Sequence, residues 1–184
     1  MTIYIALLRG INVGGNNKLP MAELARELRD LGLQDVKTYI QSGNVLFRRD
    51  ATDPAALAQR ISAAIQARHG FAPHVLLLEL GDLQQAVTAN PFPDATTEPK
   101  SLHLFFLAET PASPDLALLD ALRRENEHFS LADRIFYLHA PDGIGRSKLA
   151  DKVGKALNVP MTARNWRTVT TLLTMAEEVA DAAA

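Results

Sequence analysis

Short apolar runs alternate with helix-period repeats along this chain. Residues 3–8 form a continuous apolar run that ends at Arg9-Gly10, a pattern typical of a strand buried on both faces. Beyond a polar loop, Pro20 stands where a first helical residue is favoured, and apolar residues then recur every three or four positions until Gly32. The chain is therefore expected to open with a strand, a loop and a helix.

A hairpin is predicted next. Two β-rich runs, residues 36–41 and 44–48, flank the dipeptide Ser42-Gly43. A two-residue connection that contains glycine is a strong hairpin signal, because glycine adopts the positive φ that such a turn requires. We expect a hairpin with a two-residue loop at this place.

A second helix and a fourth strand complete the first half of the pattern. Asp53-Pro54 supplies an N-cap and a first-turn proline, and Gly70 ends the helix that follows. Residues 75–80 are again apolar and β-rich. The order over residues 1–80 is thus β-α-β-β-α-β, which is the order of a ferredoxin-like domain.

The second half repeats this order of elements. The predicted elements are a strand at 101–108, a helix capped by Ser113-Pro114, one or two strands within 127–140 around Asp133, a helix capped by Ser147, a short strand at 159–162 and an extra terminal helix. The halves share element order rather than sequence, so a duplication is inferred from the pattern alone. We expect an α+β protein with two tandem ferredoxin-like units, 1–80 and 101–184, joined by residues 81–100.

Composition narrows the function classes. The chain has 184 residues, of which 47% are hydrophobic and 22% charged, as in an ordinary globular protein. A net charge of -2 leaves no broad basic surface for non-specific binding to duplex nucleic acid. The lack of cysteine excludes disulfides and thiolate catalysis and fits a reducing compartment. Neither a signal peptide nor a membrane span is recognised, so a cytoplasmic location is predicted.

Polar segments are expected to gather at two sheet edges. In a right-handed unit the first and second strands run the same way, so the loop after strand one and the hairpin share an edge. The candidate residues there are Arg9, Gly10, Asn12, Gly14, Gly15, Lys18, Gln41, Ser42, Gly43 and Asn44. In the second unit, the start of the second helix and the end of the last strand share an edge, with candidates Ser147, Lys148, Arg164, Asn165 and Trp166.

The chemistry of these segments suits an anion. Glycine lets backbone N–H groups approach a ligand, a helix N-terminus adds partial positive charge, and lysine or arginine completes the neutralisation. Carboxylates are nearly absent from the segments. The leading hypothesis is a small phosphorylated or nucleotide-like anion, bound in a groove between the two units with Arg9, Lys18, Lys148 and Arg164 as its charge partners.

Structural roles are the alternative for most of these residues. Glycine-rich loops are more often turns than phosphate cradles, and Asn16-Asn17 replaces the Lys-Ser/Thr that a P-loop would need after Gly15. The alternatives are N-capping for Ser147 and Asn165, interface packing for Trp166, and hairpin hydrogen bonding for Gln41 and Asn44. Both interpretations stay open at this point.

Other chemistries have weaker support. The five histidines, His69, His74, His103, His128 and His139, are scattered without metal-ligand spacing, so no metal site is predicted. No cofactor motif is recognised either. Ser42 and Ser147 are possible nucleophiles, but the Gly-x-Ser-x-Gly elbow is missing and no His/Asp partner is assignable. The sequence names no reaction and no oligomeric state.

Four segments together resemble a known family. They are LLRGINVGGNNKLPMAEL, TYIQSGNVLF, GRSKLADK and TARNWRTVTTLL, and their order and spacing are similar to those of the bacterial domain-of-unknown-function family 1697. The resemblance implies a small cytoplasmic bacterial protein of ferredoxin-like α+β architecture and no established activity. It marks the same segments that the topology argument isolates.

Two other function classes compete with anion binding. A single-stranded nucleic-acid module is one, because β-α-β-β-α-β domains can stack bases on strand aromatics. The third strand carries only Phe47 and lacks the RNP1 pattern, and the mildly acidic balance also argues against nucleic acid. The other class is a non-catalytic interaction protein in which the glycine loops are purely structural.

Overall fold

The computed structural model describes residues 1–182, and this part of the chain forms eight strands and six α-helices. The first four strands are β1 Thr2–Arg9, β2 Gln34–Tyr39, β3 Asn44–Arg49 and β4 His74–Glu79. The helices between and after them are α1 Met21–Asp30, α2 Pro54–His69 and α3 Leu80–Thr88. A short 3-10 turn, Pro93–Thr97, follows α3.

The first sheet has the strand order β2-β3-β1-β4, with every neighbouring pair antiparallel. Helices α1 and α2 cover one face, where Leu24 and Ile61 pack with Tyr4 and Phe47 in a buried cluster. This order and layering are those of a ferredoxin-like unit, as predicted.

Strand β1 lies at the centre of this sheet and is buried on both faces. Tyr4, Ala6 and Leu8 belong to the core beneath the helices, whereas Ile5 and Leu7 point to the opposite face and are also fully buried. Because side chains alternate between faces, a strand buried on both must be apolar at every position. The continuous apolar run therefore predicted β1 correctly.

The second sheet repeats the topology with the order β6-β7-β5-β8, again fully antiparallel. Its elements are β5 Leu102–Leu107, α4 Leu116–Leu122, β6 His128–Ala132, β7 Ile135–His139, α5 Val153–Leu157 and β8 Met161–Asn165. Helix α6, Trp166–Asp181, follows directly. Phe105, Phe136 and Leu138 pack with Val153 and Leu157 in a core of their own, so the second predicted ferredoxin-like unit is present.

The chain divides into two compact units, one comprising Met1–Gln85 with the segment from Thr171 onward and the other Ala86–Thr170. Both boundaries fall inside helices, α3 and α6. The segment 81–100, expected as a connection, thus contains most of α3 and belongs mainly to the second unit. The terminal helix contributes residues to both units.

The predicted two-residue hairpin loop is wrong, since β2 and β3 are joined by the four residues 40–43. Tyr39 pairs with Asn44 at the end of the ladder. Ile40 and Gly43 both have positive φ angles, 47° and 85°. A two-residue turn at Ser42-Gly43 would leave Ile40 in the strand, where φ is negative. The Asn44 side chain closes the longer loop by donating from Nδ2 to the Tyr39 carbonyl at 3.0 Å.

The helix predicted after Ser147 is present only in part. Two 3-10 turns, Ile144–Arg146 and Ala150–Lys152, precede the five-residue α5. Gly154 lies inside this segment and Asn158 ends it with a φ of 52°, and glycine within a helix costs about 1 kcal/mol relative to alanine. Burial of Leu149, Val153 and Leu157 holds the segment in place without a regular helix.

The last strand lies further along the chain than the predicted 159–162. Residues of β8 pair with β5 from Met161 opposite Leu107 to Asn165 opposite His103. Arg164 and Asn165 are therefore strand residues, and α6 begins only at Trp166.

The N-cap of α4 is Asp115 rather than the predicted Ser113. The Asp115 carboxylate accepts from the Leu118 amide at 2.9 Å, whereas the exposed Ser113 has no such bond.

We expect Asp115→Ala to lower the free energy of unfolding by about 1 kcal/mol, because a helix amide loses its partner. Ser113→Ala is the control and should change it by less than about 0.5 kcal/mol. Urea unfolding measures both, and equal effects would contradict the assignment.

Candidate functional site

The register of the first sheet brings the predicted loop and hairpin to one edge. Leu7 at the end of β1 pairs with Asn44 at the start of β3, and Arg9 pairs with His74 at the start of β4. The segments 9–19 and 40–43 therefore leave the sheet side by side. This juxtaposition is the one expected from the element order.

Asn12 ties the two segments together. Its Nδ2 donates to the carbonyls of Leu19 and Gln41, both at 2.9 Å, and its Oδ1 accepts from the Leu19 amide at 2.8 Å. An asparagine amide has two donor hydrogens, and both are used here. Asn12 is thus a positioning residue of the loop, and its side chain has no donor left for a ligand.

Gly14 and Gly15 form the tip of a miniature hairpin within this loop. Val13 and Asn16 bridge each other, with the Asn16 amide donating to the Val13 carbonyl at 3.0 Å. The φ angles of the two glycines are 58° and 79°, as a type I′ turn requires at both central positions. No hydrogen bond among residues 1–182 uses their N–H groups. The tip therefore presents two backbone donors on a rigid turn.

The hairpin residues have structural roles. Asn44 is fully buried, and its Nδ2 donates to the Tyr39 carbonyl and to Ser42 Oγ, each at 3.0 Å. The Gly43 carbonyl accepts from the Leu8 amide at 2.8 Å. A Cβ on Gly43 would lie 2.8 Å from Leu8 Cβ and from Ile11 Cδ1, so glycine is the residue that lets the hairpin approach β1.

Gly43→Ala is expected to destabilise the fold strongly. The new methyl group would collide with Leu8 and Ile11 and would also occupy a φ of 85°, at a combined cost of roughly 3 kcal/mol. Gly15→Ala is the matched control, since its φ is 79° but no atom lies within 4 Å of the added Cβ. It should cost about 1 kcal/mol. Denaturant unfolding of both variants would refute this account if the costs were alike.

The edge of the first sheet is cationic. Arg9 and Lys18 are exposed at the two ends of the loop, and neither 9–18 nor 41–44 contains a carboxylate. Within residues 1–182, Lys18 forms no ion pair. Burial, reinforced by the Arg9 charge, lowers the pKa of His74 at the same edge, so this imidazole is neutral at pH 7.

The second sheet gathers its candidates in the same manner. Its register places His139 opposite Leu102 and Asn165 opposite His103, so the ends of β7 and β8 flank the start of β5. The predicted segment around Ser147 follows β7 from this edge, and the segment around Arg164 reaches it at Asn165. The side chains of the predicted residues are used differently, however.

Ser147 and Asn165 serve the backbone. Ser147 is buried, and its Oγ accepts from the Ala150 amide at 3.0 Å at the start of a 3-10 turn. Asn165 Oδ1 accepts from the Thr168 amide at 2.9 Å and so caps the first turn of α6. The capping alternatives are confirmed for both residues. Lys148 is exposed beside Ser147 and forms no ion pair within the described residues.

Arg164 and Trp166 are partly buried where β8 passes into α6. The Arg164 guanidinium donates to the Ala163 carbonyl at 2.8 Å. Burial lowers the pKa of Arg164 to about 10, which still leaves it a cation at neutral pH.

Two histidines that sequence reasoning treated as scattered lie together in the second unit. His128 begins β6 and His139 ends β7, and these residues are directly paired, with their ring centroids 6.2 Å apart. A hairpin turn at Asp133-Arg134 pairs residues equally distant from it, so the sequence held this signal once two strands were assumed. No group of three His, Cys, Asp or Glu side chains able to hold a metal ion is found within residues 1–182.

His103 on β5 is another polar group that the sequence did not single out. Its Nδ1 is buried without a hydrogen-bond partner among the described residues, and burial lowers its pKa to about 4. Since the ordinary value is 6.5, the unfolded chain binds the proton first as the pH falls. Acid therefore favours the unfolded chain, and His103 makes the stability of the fold depend on pH.

We expect the free energy of unfolding to fall between pH 6.5 and pH 4, by up to about 3 kcal/mol from His103 alone. His103→Gln removes the titrating ring and should flatten this part of the profile. Urea unfolding at several pH values measures the slope. An unchanged slope in the variant would exclude His103 as its source.

The sequence model of the family described as protein of unknown function, DUF1697, matches residues 1–137. The chain belongs to this family. The matched range includes the first two of the four segments quoted above and ends before the segments at 145–152 and 162–173.

A solved structure has the same fold as this DUF1697 protein. It is that of the conserved bacterial protein SP0830 from Streptococcus pneumoniae, with a TM-score of 0.71 and 27% sequence identity, covering 95% of this chain and 98% of that chain. The search of curated proteins returned no match. Within residues 1–182, none of the helices combines the length and apolarity that crossing a bilayer demands.

Proposed function

We propose that this DUF1697 protein binds a small phosphorylated or nucleotide-like anion at the edge of its first sheet. The observation that carries the proposal is the loop 9–19, which Asn12 closes with two hydrogen bonds to Leu19 and ties to the hairpin with one to the Gln41 carbonyl. Arg9 and Lys18 lie at the ends of this loop, and the Gly14 and Gly15 amides lie at its tip.

Preorganisation supports this function. A loop that is already closed by its own hydrogen bonds loses little further entropy when a ligand binds. The cations at the ends of the loop and the backbone donors at its tip are the kinds of group that bind phosphate oxygens, since charge-assisted hydrogen bonds are the strong ones. The loop itself contains no carboxylate.

Two further candidate cations, Lys148 and Arg164, belong to the second unit. Lys148 is exposed and forms no ion pair within residues 1–182. The site on the first sheet is defined without either residue, so their contribution is tested separately from it.

Nucleic-acid binding by base stacking has less support. Phe47, the aromatic residue of the third strand, is completely buried in the core beneath α1 and α2. A ring in that position cannot stack on a base while the unit is folded. An anion site that uses cations and backbone amides needs no such platform.

The test is a titration of the isotopically labelled protein with pyrophosphate and, separately, with ATP, at low ionic strength and followed by amide NMR. We expect saturable shifts of the Gly14 and Gly15 amides that weaken as salt is added. Lys18→Ala should reduce the affinity about fivefold, because one charge-assisted contact is lost. Lys37→Ala, an exposed lysine on β2 of the same unit, is the control and should leave the affinity unchanged.

The variant Lys148→Ala, titrated in the same way, measures whether Lys148 of the second unit contributes to the affinity for the anion. A loss of affinity in this variant adds Lys148 to the ligand contacts. Shifts absent from the loop with both anions, or equal losses in the Lys18 and Lys37 variants, would overturn the proposal and favour a purely structural role for the glycine loop.

A further inference from the structure

A pocket of about 350 Å³ opens within the second unit, and none of its lining residues belongs to the anion proposal. Its lining includes the acids Asp94 and Glu98 and the rings of Phe92, His128 and His139. Most of the lining comes from the Asn-Pro-Phe-Pro segment and the 3-10 turn that follows it. The volume is at the lower end of the range for small-molecule sites.

Three rings form one wall of this pocket. The Phe92 centroid lies 6.4 Å from that of His128 and 6.3 Å from that of His139, and the two imidazoles stack at 6.2 Å with 22° between their planes. These distances are in the range of favourable aromatic contacts. A flat ligand placed between the two imidazoles would need a separation of about 7 Å, since each ring contact takes about 3.5 Å. The imidazole centroids are only 6.2 Å apart, so the space for a flat ligand is on the outer faces of the rings.

The backbone of Phe92 is held in place by the side chain of Asn90. Asn90 Nδ2 donates to the Phe92 carbonyl at 3.3 Å, and Asn90 Oδ1 accepts from the Phe92 amide at 3.0 Å. Pro91 and Pro93 fix φ on either side. Such a segment presents its aromatic side chain to a ligand at low entropic cost.

The polar part of the pocket is acidic. Asp94 and Glu98 are exposed at its rim, and within residues 1–182 neither carboxylate has an ion-pair or hydrogen-bond partner. Burial and the neighbouring His128 lower the pKa of His139, so its imidazole is neutral at pH 7. The pocket thus combines acceptors and π faces, and it repels anions.

We propose that this pocket binds a small flat cation, an aromatic or heteroaromatic ring that carries an amino or amidino group. The ring stacks on Phe92 and the imidazoles, and the cationic group meets the carboxylates of Asp94 and Glu98. A single or fused double ring fits the volume. This proposal is independent of the anion site, whose residues lie elsewhere in the chain.

Three probes with the same ring and different charge test the proposal: benzamidine, benzyl alcohol and benzoate. Each is titrated while the imidazole resonances of His128 and His139 are followed by NMR at pH 7. We expect saturable shifts with benzamidine, weaker shifts with benzyl alcohol and none with benzoate. Equal responses to all three probes, or no response to benzamidine, would overturn the proposal.

Paired variants locate the charge recognition. Asp94→Asn combined with Glu98→Gln keeps the shape of the rim but removes its charge, and should weaken benzamidine binding about fivefold. Glu109→Gln combined with Glu125→Gln removes two exposed acids of the same unit that do not line the pocket. This control should bind as the unmodified chain does. If it loses as much affinity as the rim variant, the attraction is a general charge effect and the pocket assignment fails.

Discussion

Everything that this chain brings together depends on the register of two antiparallel ladders. In the first sheet, β1 pairs with β3 and β4 over its length, so that the polar loop after Arg9 emerges next to the hairpin before Asn44. In the second, the β6–β7 ladder sets His128 opposite His139. A slip by one residue would move the side chains of the slipped strand to the opposite face of the sheet and break these pairings, so the packing of the core also fixes where the candidate residues lie.

The apolar pattern predicted the fold because it reports burial directly. The run at β1 and the spacing of Leu57, Ile61 and Ile65 on α2 correspond to side chains that are buried. Boundaries were predicted less well where side-chain hydrogen bonds decide them. Asn44 closes a four-residue hairpin loop and Asp115 caps α4. Hydrophobic periodicity predicts neither role, because both depend on a single polar side chain.

The sequence predicted the edges near which these polar residues lie, but it did not predict what each side chain does there. Asn12, Asn44, Ser147 and Asn165 all lie at the expected edges, yet each uses its side chain to satisfy backbone groups that strands and turns leave unpaired. Sequence alone cannot separate these roles, because the same polar atoms serve a turn or a ligand. The sequence did not predict the pair His128 and His139 for a different reason. The two residues meet because their strands pair across the turn at Asp133-Arg134, and their spacing along the chain does not indicate this.

This use of side chains also limits what the first edge can recognise. In the proposed anion site both Nδ2 hydrogens of Asn12 are committed, so a ligand would meet the backbone amides of Gly14 and Gly15 and the side chains of Arg9 and Lys18. These groups contact phosphate oxygens and not the rest of a ligand, so we expect a site of this kind to select for charge rather than for a base or sugar. The pocket proposed around Phe92 differs, because it combines flat ring faces with two exposed carboxylates, and we expect it to select for shape and for positive charge. The two units share one topology, and the recognition chemistry proposed for each follows from the different side chains that their loops and strand ends carry.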